Sequence, residues 1–150
     1  MSELKELYQQ VILDHSKRPR NFHEMDAPDH TAEGHNPLCG DRITVFFRLD
    51  GDMIREVSFT GSGCAICTSS SSMMTEFLVG KTVAEALAVF EKFRDVVMGK
   101  IEVFDVLDDL DKLAVFSGVR EFPIRVKCAT LPWHTVHAAL TEGQDVVSTE

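Results

Sequence analysis

The fold is predicted first from the segment Ile43-Thr44-Val45-Phe46-Phe47-Arg48-Leu49-Asp50-Gly51. Every second residue is apolar: Ile43, Val45, Phe47 and Leu49 alternate with Thr44, Phe46 and Arg48. This alternation predicts a strand with one buried face. The Asp50-Gly51 pair is typical of a hairpin turn, and the return strand is predicted to carry Val57 and Phe59. The sequence therefore predicts a small antiparallel sheet.

Helices are predicted on both sides of this hairpin along the chain. An i, i+3, i+4 apolar stripe indicates an amphipathic helix over residues 3–16. A helix of small residues is expected after Cys64 and should end at Gly80. The motif Thr82-x-x-Glu85 is a capping box and predicts the start of another helix.

The last helix must accommodate Pro132, which is unfavourable in a helix interior. We expect this helix to start near Ala129, so that Pro132 falls in the first turn and no intrahelical hydrogen bond is lost. This start would place Cys128 at a helix amino terminus. Cys64 is predicted to lie in the same kind of position, where free N–H groups stabilise a thiolate over a thiol.

The expected architecture is a single α+β domain over residues 1–150, with an antiparallel sheet of about three strands and helices on one face. A length of 150 residues with 44% apolar and 26% charged residues suits one globular core. Residues 18–38 are polar and are expected to form a long connection. The polar tail over residues 143–150 is expected to fray.

Composition also limits the functions and the compartment. The net charge of −9 argues against nucleic acid as a partner, because phosphate binding requires concentrated Lys and Arg. The chain contains no apolar run of the length that a membrane span needs, and residues 1–5 do not resemble a signal peptide. A cytoplasmic, reducing compartment is therefore expected, where cysteines more often bind metal or do chemistry than form disulfides.

The cysteines are the main indication of function. The tripeptide Cys39-Gly40-Asp41 joins a thiol and a carboxylate through glycine, so that both can turn toward one metal ion. Cys64 and Cys128 are candidates to complete a four-ligand shell, and tetrahedral zinc accepts both donor types. Such thiolates can also hold an iron–sulfur unit or carry sulfur as a persulfide. The alternative is that each cysteine is a small buried apolar residue.

Cys67 and the histidines leave their roles open. Cys67 follows Cys64 by three residues, and its serine-rich surroundings favour a packing role over that of a spare ligand or resolving thiol. His134 and His137 share a helix face but lack a matching carboxylate, which favours a surface or capping role.

Three ordered motifs give the chain a specific resemblance. They are Asn36-Pro37-Leu38-Cys39-Gly40-Asp41, Gly63-Cys64-Ala65-Ile66-Cys67 before a serine-rich helix, and Arg125-Val126-Lys127-Cys128. With these motifs the chain resembles the U-type iron–sulfur cluster assembly proteins, which include IscU and the amino-terminal domain of NifU. Lys127 stands where IscU-like scaffolds carry a histidine, and the segment from Cys64 to Cys128 is longer. Both departures are similar to the SufU branch, which works with SUF-type assembly systems.

This resemblance implies a zinc-dependent sulfur-transfer protein. It makes Cys39, Asp41, Cys64 and Cys128 the zinc ligands and Cys39 the sulfur acceptor. Arg125 and Lys127 would be nearby cations that steady a thiolate or persulfide. The implied partners are a pyridoxal-phosphate-dependent cysteine desulfurase of the SufS type, which donates the sulfur, and a SUF scaffold complex, which receives it.

Two alternatives remain at this point. The same ligands can assemble a [2Fe–2S] cluster or bind iron, although the missing histidine argues against a scaffold. A purely structural zinc domain that binds partners is the other reading, and it predicts that Asp41→Ala harms stability as much as function.

Overall fold

The predicted hairpin is the centre of the sheet. The computed structural model describes residues 2–37, 40–142 and 146–148. Strands β2 (Asp41–Asp50) and β3 (Met53–Ser62) pair antiparallel, and Gly51 takes a φ of 64° in the turn between them. A positive φ favours glycine, which explains the Asp-Gly turn signal.

A further strand lies in the segment that the sequence predicted to be a connection. Strand β1 (His30–Asn36) pairs antiparallel with β2. Its inward positions hold Ala32, Gly34 and Asn36, which are small or polar rather than large and apolar. The strand therefore lacks the alternation that marks β2, and the prediction of a connection over residues 18–38 was wrong for residues 30–36.

A short strand completes the sheet from the end of the chain. Strand β4 (Val146–Ser148) pairs parallel with β1, so the strand order is β3-β2-β1-β4. The expectation of a frayed tail was therefore wrong for these three residues. The outer edge of β1 presents backbone N–H and C=O groups that need partners, and β4 supplies them.

The helices lie on one face of this sheet. Along β2 the buried positions are every second residue from Asp41 to Phe47, and the residues between them are more exposed. The α+β class, the one-sided helix layer and an antiparallel sheet of three strands, β1 to β3, are thus confirmed, and β4 adds a fourth strand in parallel. The helices are α1 (Ser2–Lys17), α2 (Ala65–Leu78), α3 (Val83–Val97), the short α4 (Leu107–Leu110) and α5 (Pro123–His137). The segments Val103–Val106 and Asp111–Glu121 are 3-10 helical, and Ala138–Glu142 forms a π turn.

Helix α5 differs from the prediction in a way that affects the site. It begins at Pro123, where a missing N–H costs no hydrogen bond, and it continues through Pro132. Cys128 therefore lies within the helix and not at its amino terminus. The packing around Pro132 offsets the lost backbone bond: Trp133 is fully buried and its ring stacks on Phe93 at 4.8 Å between centroids.

The serine-rich helix α2 is buried at the centre of the helix layer. Ser69, Ser70, Ser71 and Ser72 are all 0% exposed. Small side chains let the neighbouring elements approach closely, and each hydroxyl makes a hydrogen bond, as buried polar groups require. Within the part of the chain that the structure describes, no helix has the length and apolar character needed to cross a bilayer.

Candidate metal centre

Three predicted ligands meet at one end of the sheet. Asp41 is the first residue of β2, and Cys64 follows the end of β3 as the N-cap of α2. The β2–β3 register pairs Arg42 with Ser62, which brings these two chain segments side by side. Cys128 reaches the same point from α5. The three residues therefore come together from two strands' ends and one helix.

The ligand atoms of Asp41, Cys64 and Cys128 all lie within 4.8 Å of one another. Asp41 is 0% exposed and Cys128 is 2% exposed, while Cys64 reaches solvent. A buried carboxylate is costly unless it is paired, hydrogen-bonded or bound to metal. The cluster thus has two sheltered donors and one donor that a partner protein can approach.

Backbone hydrogen bonds orient two of the three donors. The Cys64 N–H donates to Asp41 Oδ1 at 2.8 Å, and Cys64 Sγ lies 3.9 Å from Asp41 Oδ2. The Cys67 N–H in turn donates to Cys64 Sγ at 3.4 Å. Both N–H groups belong to the start of α2, where such groups have no partner within the helix.

The third donor, Cys128, is held by contacts that the sequence motifs do not predict. Asn36, the last residue of β1, donates from Nδ2 to Cys128 Sγ at 3.7 Å. One residue further along α5, the carbonyl of Ala129 accepts a 2.6 Å hydrogen bond from Ser70 Oγ of α2. Asn36 stands in the first motif, beside Pro37, but nothing in the sequence predicted its contact with a cysteine 92 residues away.

Two glycines make room for this arrangement. A Cβ added at Gly63 would lie 3.0 Å from Asp41 Oδ1 and 3.3 Å from Cys67 Sγ. A Cβ added at Gly34 would collide with Thr135 Oγ1, so glycine at this position lets α5 lie close against β1. The sequence indicated Gly63 only as part of the second cysteine motif, and it gave no signal for Gly34.

The donor set fits zinc. Tetrahedral zinc holds sulfur at about 2.3 Å and oxygen at about 2.0–2.2 Å, so its ligand atoms are about 3.3–3.8 Å apart. The three ligand atoms lie within 4.8 Å of one another, so they need to move only slightly closer together to reach this spacing. Two thiolates and a carboxylate are ligands that zinc accepts, and one more donor would complete a four-ligand shell.

The remaining predicted residues lie elsewhere or outside the described part of the chain. Cys39 is outside the described residues. Arg125 is exposed, and its guanidinium carbon lies 4.5 Å from the centroid of the Phe122 ring. Lys127 is half-buried on α5, next to Cys128 in the chain. Cys67 is fully buried. It lies beside the cluster, because its backbone N–H donates to Cys64 Sγ.

The two histidines of α5 are placed away from the cluster. The His134 and His137 rings contact the Phe90 ring of α3, with centroids 5.2 and 5.1 Å apart. Burial lowers the pKa of His134 below its usual value of 6.5, and the nearby charges of Arg94 and His137 lower it further. His134 therefore packs between helices, and the expected surface or capping role does not describe it.

Comparison with known proteins places the chain among relatives of matching length. The family model of the NifU-like N terminal domain matches residues 7–142. The zinc-dependent sulfurtransferase SufU of Bacillus subtilis strain 168 is 39% identical over 143 residues, which cover 95% of each chain. The iron–sulfur cluster assembly scaffold protein IscU of Streptococcus pyogenes serotype M1 is also 39% identical, over 93% of this chain and 86% of the relative.

Solved structures agree with these relatives. The SUF-system scaffold protein SufU of Fervidobacterium islandicum AW-1 superposes with a TM-score of 0.83 at 36% identity, over 88% of this chain and 95% of that one. A NifU-like protein of Brucella abortus, at 21% identity over 89% of this chain and 91% of that one, shares the fold with a TM-score of 0.78. The motifs, the fold and these comparisons together show that the chain belongs to the family of NifU-like N-terminal domains.

Proposed function

We propose that this protein is a zinc-dependent sulfur carrier in iron–sulfur cluster assembly. It accepts persulfide sulfur from a cysteine desulfurase and passes it to a cluster scaffold. The observation that carries the proposal is the close group of a buried carboxylate and two thiols, Asp41, Cys64 and Cys128. The name of the Bacillus subtilis relative, a zinc-dependent sulfurtransferase, supports the same reading.

In this proposal, Asp41, Cys64 and Cys128 hold the zinc with Cys39 as the fourth ligand. Cys39 is two residues from Asp41, so covalent geometry limits their Cα separation to about 7 Å. Bound zinc keeps the thiols deprotonated and ordered. Arg125 and Lys127 are cations on α5 near Cys128 in the chain, and we assign them the role of steadying negative charge on sulfur.

The sulfur moves by thiol–persulfide exchange. The Cys39 thiolate attacks the outer sulfur of the desulfurase persulfide, forms a new S–S bond and breaks the old one. The desulfurase cysteine leaves as a thiolate, so the exchange needs no external oxidant or reductant. The outer sulfur is then passed from Cys39 to an acceptor thiolate in the same way.

The partners follow from this chemistry. The sulfur donor is a pyridoxal-phosphate-dependent cysteine desulfurase of the SufS type, and the acceptor is a SUF scaffold complex. The exchange requires reduced thiols, which fits the cytoplasm. Cys64 reaches solvent, so a partner can approach the cluster from this side.

A second candidate function is a scaffold on which a [2Fe–2S] cluster is assembled. The Streptococcus pyogenes relative favours it, because that protein is named a scaffold and has the same level of identity. The donor set does not separate the two functions, because thiolates also bind iron–sulfur clusters. Metal and sulfide analysis of the purified protein does separate them.

The test combines metal content with a desulfurase assay. Protein purified without air should contain close to one zinc per chain and should stimulate alanine release by the desulfurase. A chelator should abolish the stimulation, and zinc should restore it. Iron with inorganic sulfide in place of zinc would favour the scaffold. Stimulation that survives complete zinc removal would overturn the proposed function.

A further inference from the structure

Cys67 is a second buried thiol within reach of the cluster. It occupies the N3 position of α2, three residues after the N-cap Cys64. Its backbone N–H donates to Cys64 Sγ, and its own side chain is 0% exposed. Zinc sites commonly take two cysteines at this spacing, Cys-x-x-Cys. The pair therefore has the chain geometry of a shared metal site.

The space between Cys67 and Asp41 supports this reading. A Cβ at Gly63 would lie within 3.3 Å of both Asp41 Oδ1 and Cys67 Sγ, so the two ligand atoms flank one small gap. Cys67 Sγ already faces this gap, and the missing Cβ of Gly63 leaves the space between the two ligand atoms open.

We propose that Cys67 is a reserve metal ligand, which replaces Cys39 when the Cys39 sulfur is engaged in transfer. This inference rests on the proposed function. Cys67 is outside the group whose ligand atoms lie within 4.8 Å of one another, so it is not a ligand in the arrangement described. Cys67 Sγ borders the gap beside Gly63, and a shift across this gap would bring a third thiol to Asp41, Cys64 and Cys128.

The exchange of ligands is balanced without any redox step. Cys39 would be released as a thiolate, able to attack the incoming persulfide. Cys67 would lose its proton to water on binding, so three thiolates and the Asp41 carboxylate would still hold the zinc.

The first test measures zinc affinity in the absence of Cys39. Zinc-loaded Cys39→Ala and Cys39→Ala/Cys67→Ser are titrated with a chromophoric chelator. Cys39→Ala should lose less than about tenfold in zinc affinity, and the double variant should lose at least about 100-fold, because it lacks one of four ligands. Equal affinities of the two variants would overturn the proposal.

The second test counts thiolates directly. The intensity of the thiolate-to-cobalt charge-transfer band of the Co²⁺-substituted protein increases with the number of bound thiolates. Cys39→Ala should keep the intensity of the wild-type protein, since Cys67 enters the shell, and the double variant should show a weaker band. A weak band already in Cys39→Ala would contradict the proposal.

Two controls separate ligation from packing. Ser71→Ala in the Cys39→Ala background removes a buried hydroxyl whose hydrogen bond ends on the Cys67 carbonyl, and it should leave zinc affinity unchanged. Cys39→Ala/Cys67→Ala provides a second double variant, and circular dichroism of the chelated proteins checks that each one folds. A Ser71→Ala effect as large as that of Cys67→Ser would assign Cys67 to packing alone.

The outcome is distinguishable from failure of the proposed function. If the wild-type protein binds no zinc or does not stimulate the desulfurase, the proposed function fails. If it does both and the two Cys39 variants lose zinc equally, only the reserve ligand is wrong.

Discussion

The Asp41 carboxylate accepts the backbone N–H of Cys64 at 2.8 Å across a separation of 23 residues. One side chain therefore has two tasks, because it satisfies a backbone donor at the start of α2 and supplies a candidate metal ligand. The contact joins the beginning of β2 to the beginning of α2. Folding of the hairpin and formation of the site are thus coupled through Asp41.

Replacement of Asp41 should separate its two tasks. Asp41→Asn keeps an oxygen for the Cys64 N–H but removes the charge, so we expect weaker zinc binding and nearly unchanged stability of the zinc-free protein. Asp41→Ala leaves the partly buried N–H of Cys64 without its partner and should lower the free energy of unfolding by about 0.5–1.5 kcal/mol as well. Urea denaturation in chelator and zinc competition measure the two effects. Equal stability losses in both variants would contradict the assignment.

Cys39→Ala should abolish stimulation of the desulfurase while the fold stays intact. In the proposed function this variant lacks the sulfur acceptor, but the hydrogen bonds among Asp41, Cys64 and Cys67 do not involve this side chain. The rate of alanine release with and without the variant measures the effect, and circular dichroism serves as the control. Undiminished stimulation would show that another residue accepts the sulfur.

Gly34→Ala should destabilise the protein by about 1–3 kcal/mol, because the added methyl group collides with Thr135 Oγ1 in a packed interface. Thr135→Ala removes the colliding hydroxyl, which otherwise donates to the Leu131 carbonyl at 2.7 Å. In the double variant the two losses should therefore be less than additive, which a double-mutant cycle in urea measures. Full additivity would mean that the contact between Gly34 and Thr135 does not limit how closely α5 packs against β1.

Stability should decrease as the pH falls below about 6.5. Burial lowers the pKa of His134, with smaller contributions from Arg94 and His137, and burial also lowers the pKa of His15, which faces Arg20, Glu76, Asp14 and Lys112. The unfolded chain then binds more protons than the folded one, so protonation favours unfolding. Each histidine contributes at most about 1.4 kcal/mol per pH unit.

Urea denaturation of the zinc-free protein between pH 7.5 and pH 5.5 tests this dependence. The lowest pH, 5.5, lies above the usual pKa range of carboxylates, so the histidines dominate the change in stability. His134→Phe should weaken the pH dependence, because the substitution keeps an aromatic ring against Phe90 and removes the titrating group. If the stability of His134→Phe depends on pH in the same way as that of the wild-type protein, His134 does not contribute to the pH dependence.

Local sequence signals predicted the elements that local chemistry specifies. The Asp50-Gly51 turn and the alternation in Ile43–Leu49 produced β2 and β3, and the Thr82-Glu85 capping box is formed with both of its hydrogen bonds. The start of α2 after Cys64 was also predicted, from the run of small residues that follows it. Each of these features depends on residues a few positions apart.

The errors arose where distant contacts outweigh local preference. Pro132 was used to place the start of α5, but burial of Trp133 and Leu131 holds the helix through the proline. Strand β1 was not predicted because it lacks large apolar residues at its inward positions. One of these positions is Gly34, and α5 packs so closely on it that a larger residue would not fit. Cys128 was predicted to lie at a helix amino terminus because α5 was predicted to start near Ala129. The helix starts at Pro123, so this prediction was wrong.

The motifs alone specify the donors available to a candidate metal site, since Cys39, Asp41, Cys64 and Cys128 supply thiols and a carboxylate. Which of the described donors meet, how deeply each is buried and which neighbours orient them depend on the packing of the whole fold. The contact from Asn36 to Cys128 and the gap beside Gly63 arise between segments far apart in the chain. Such proximity depends on how the sheet and helices pack, and no short motif encodes it.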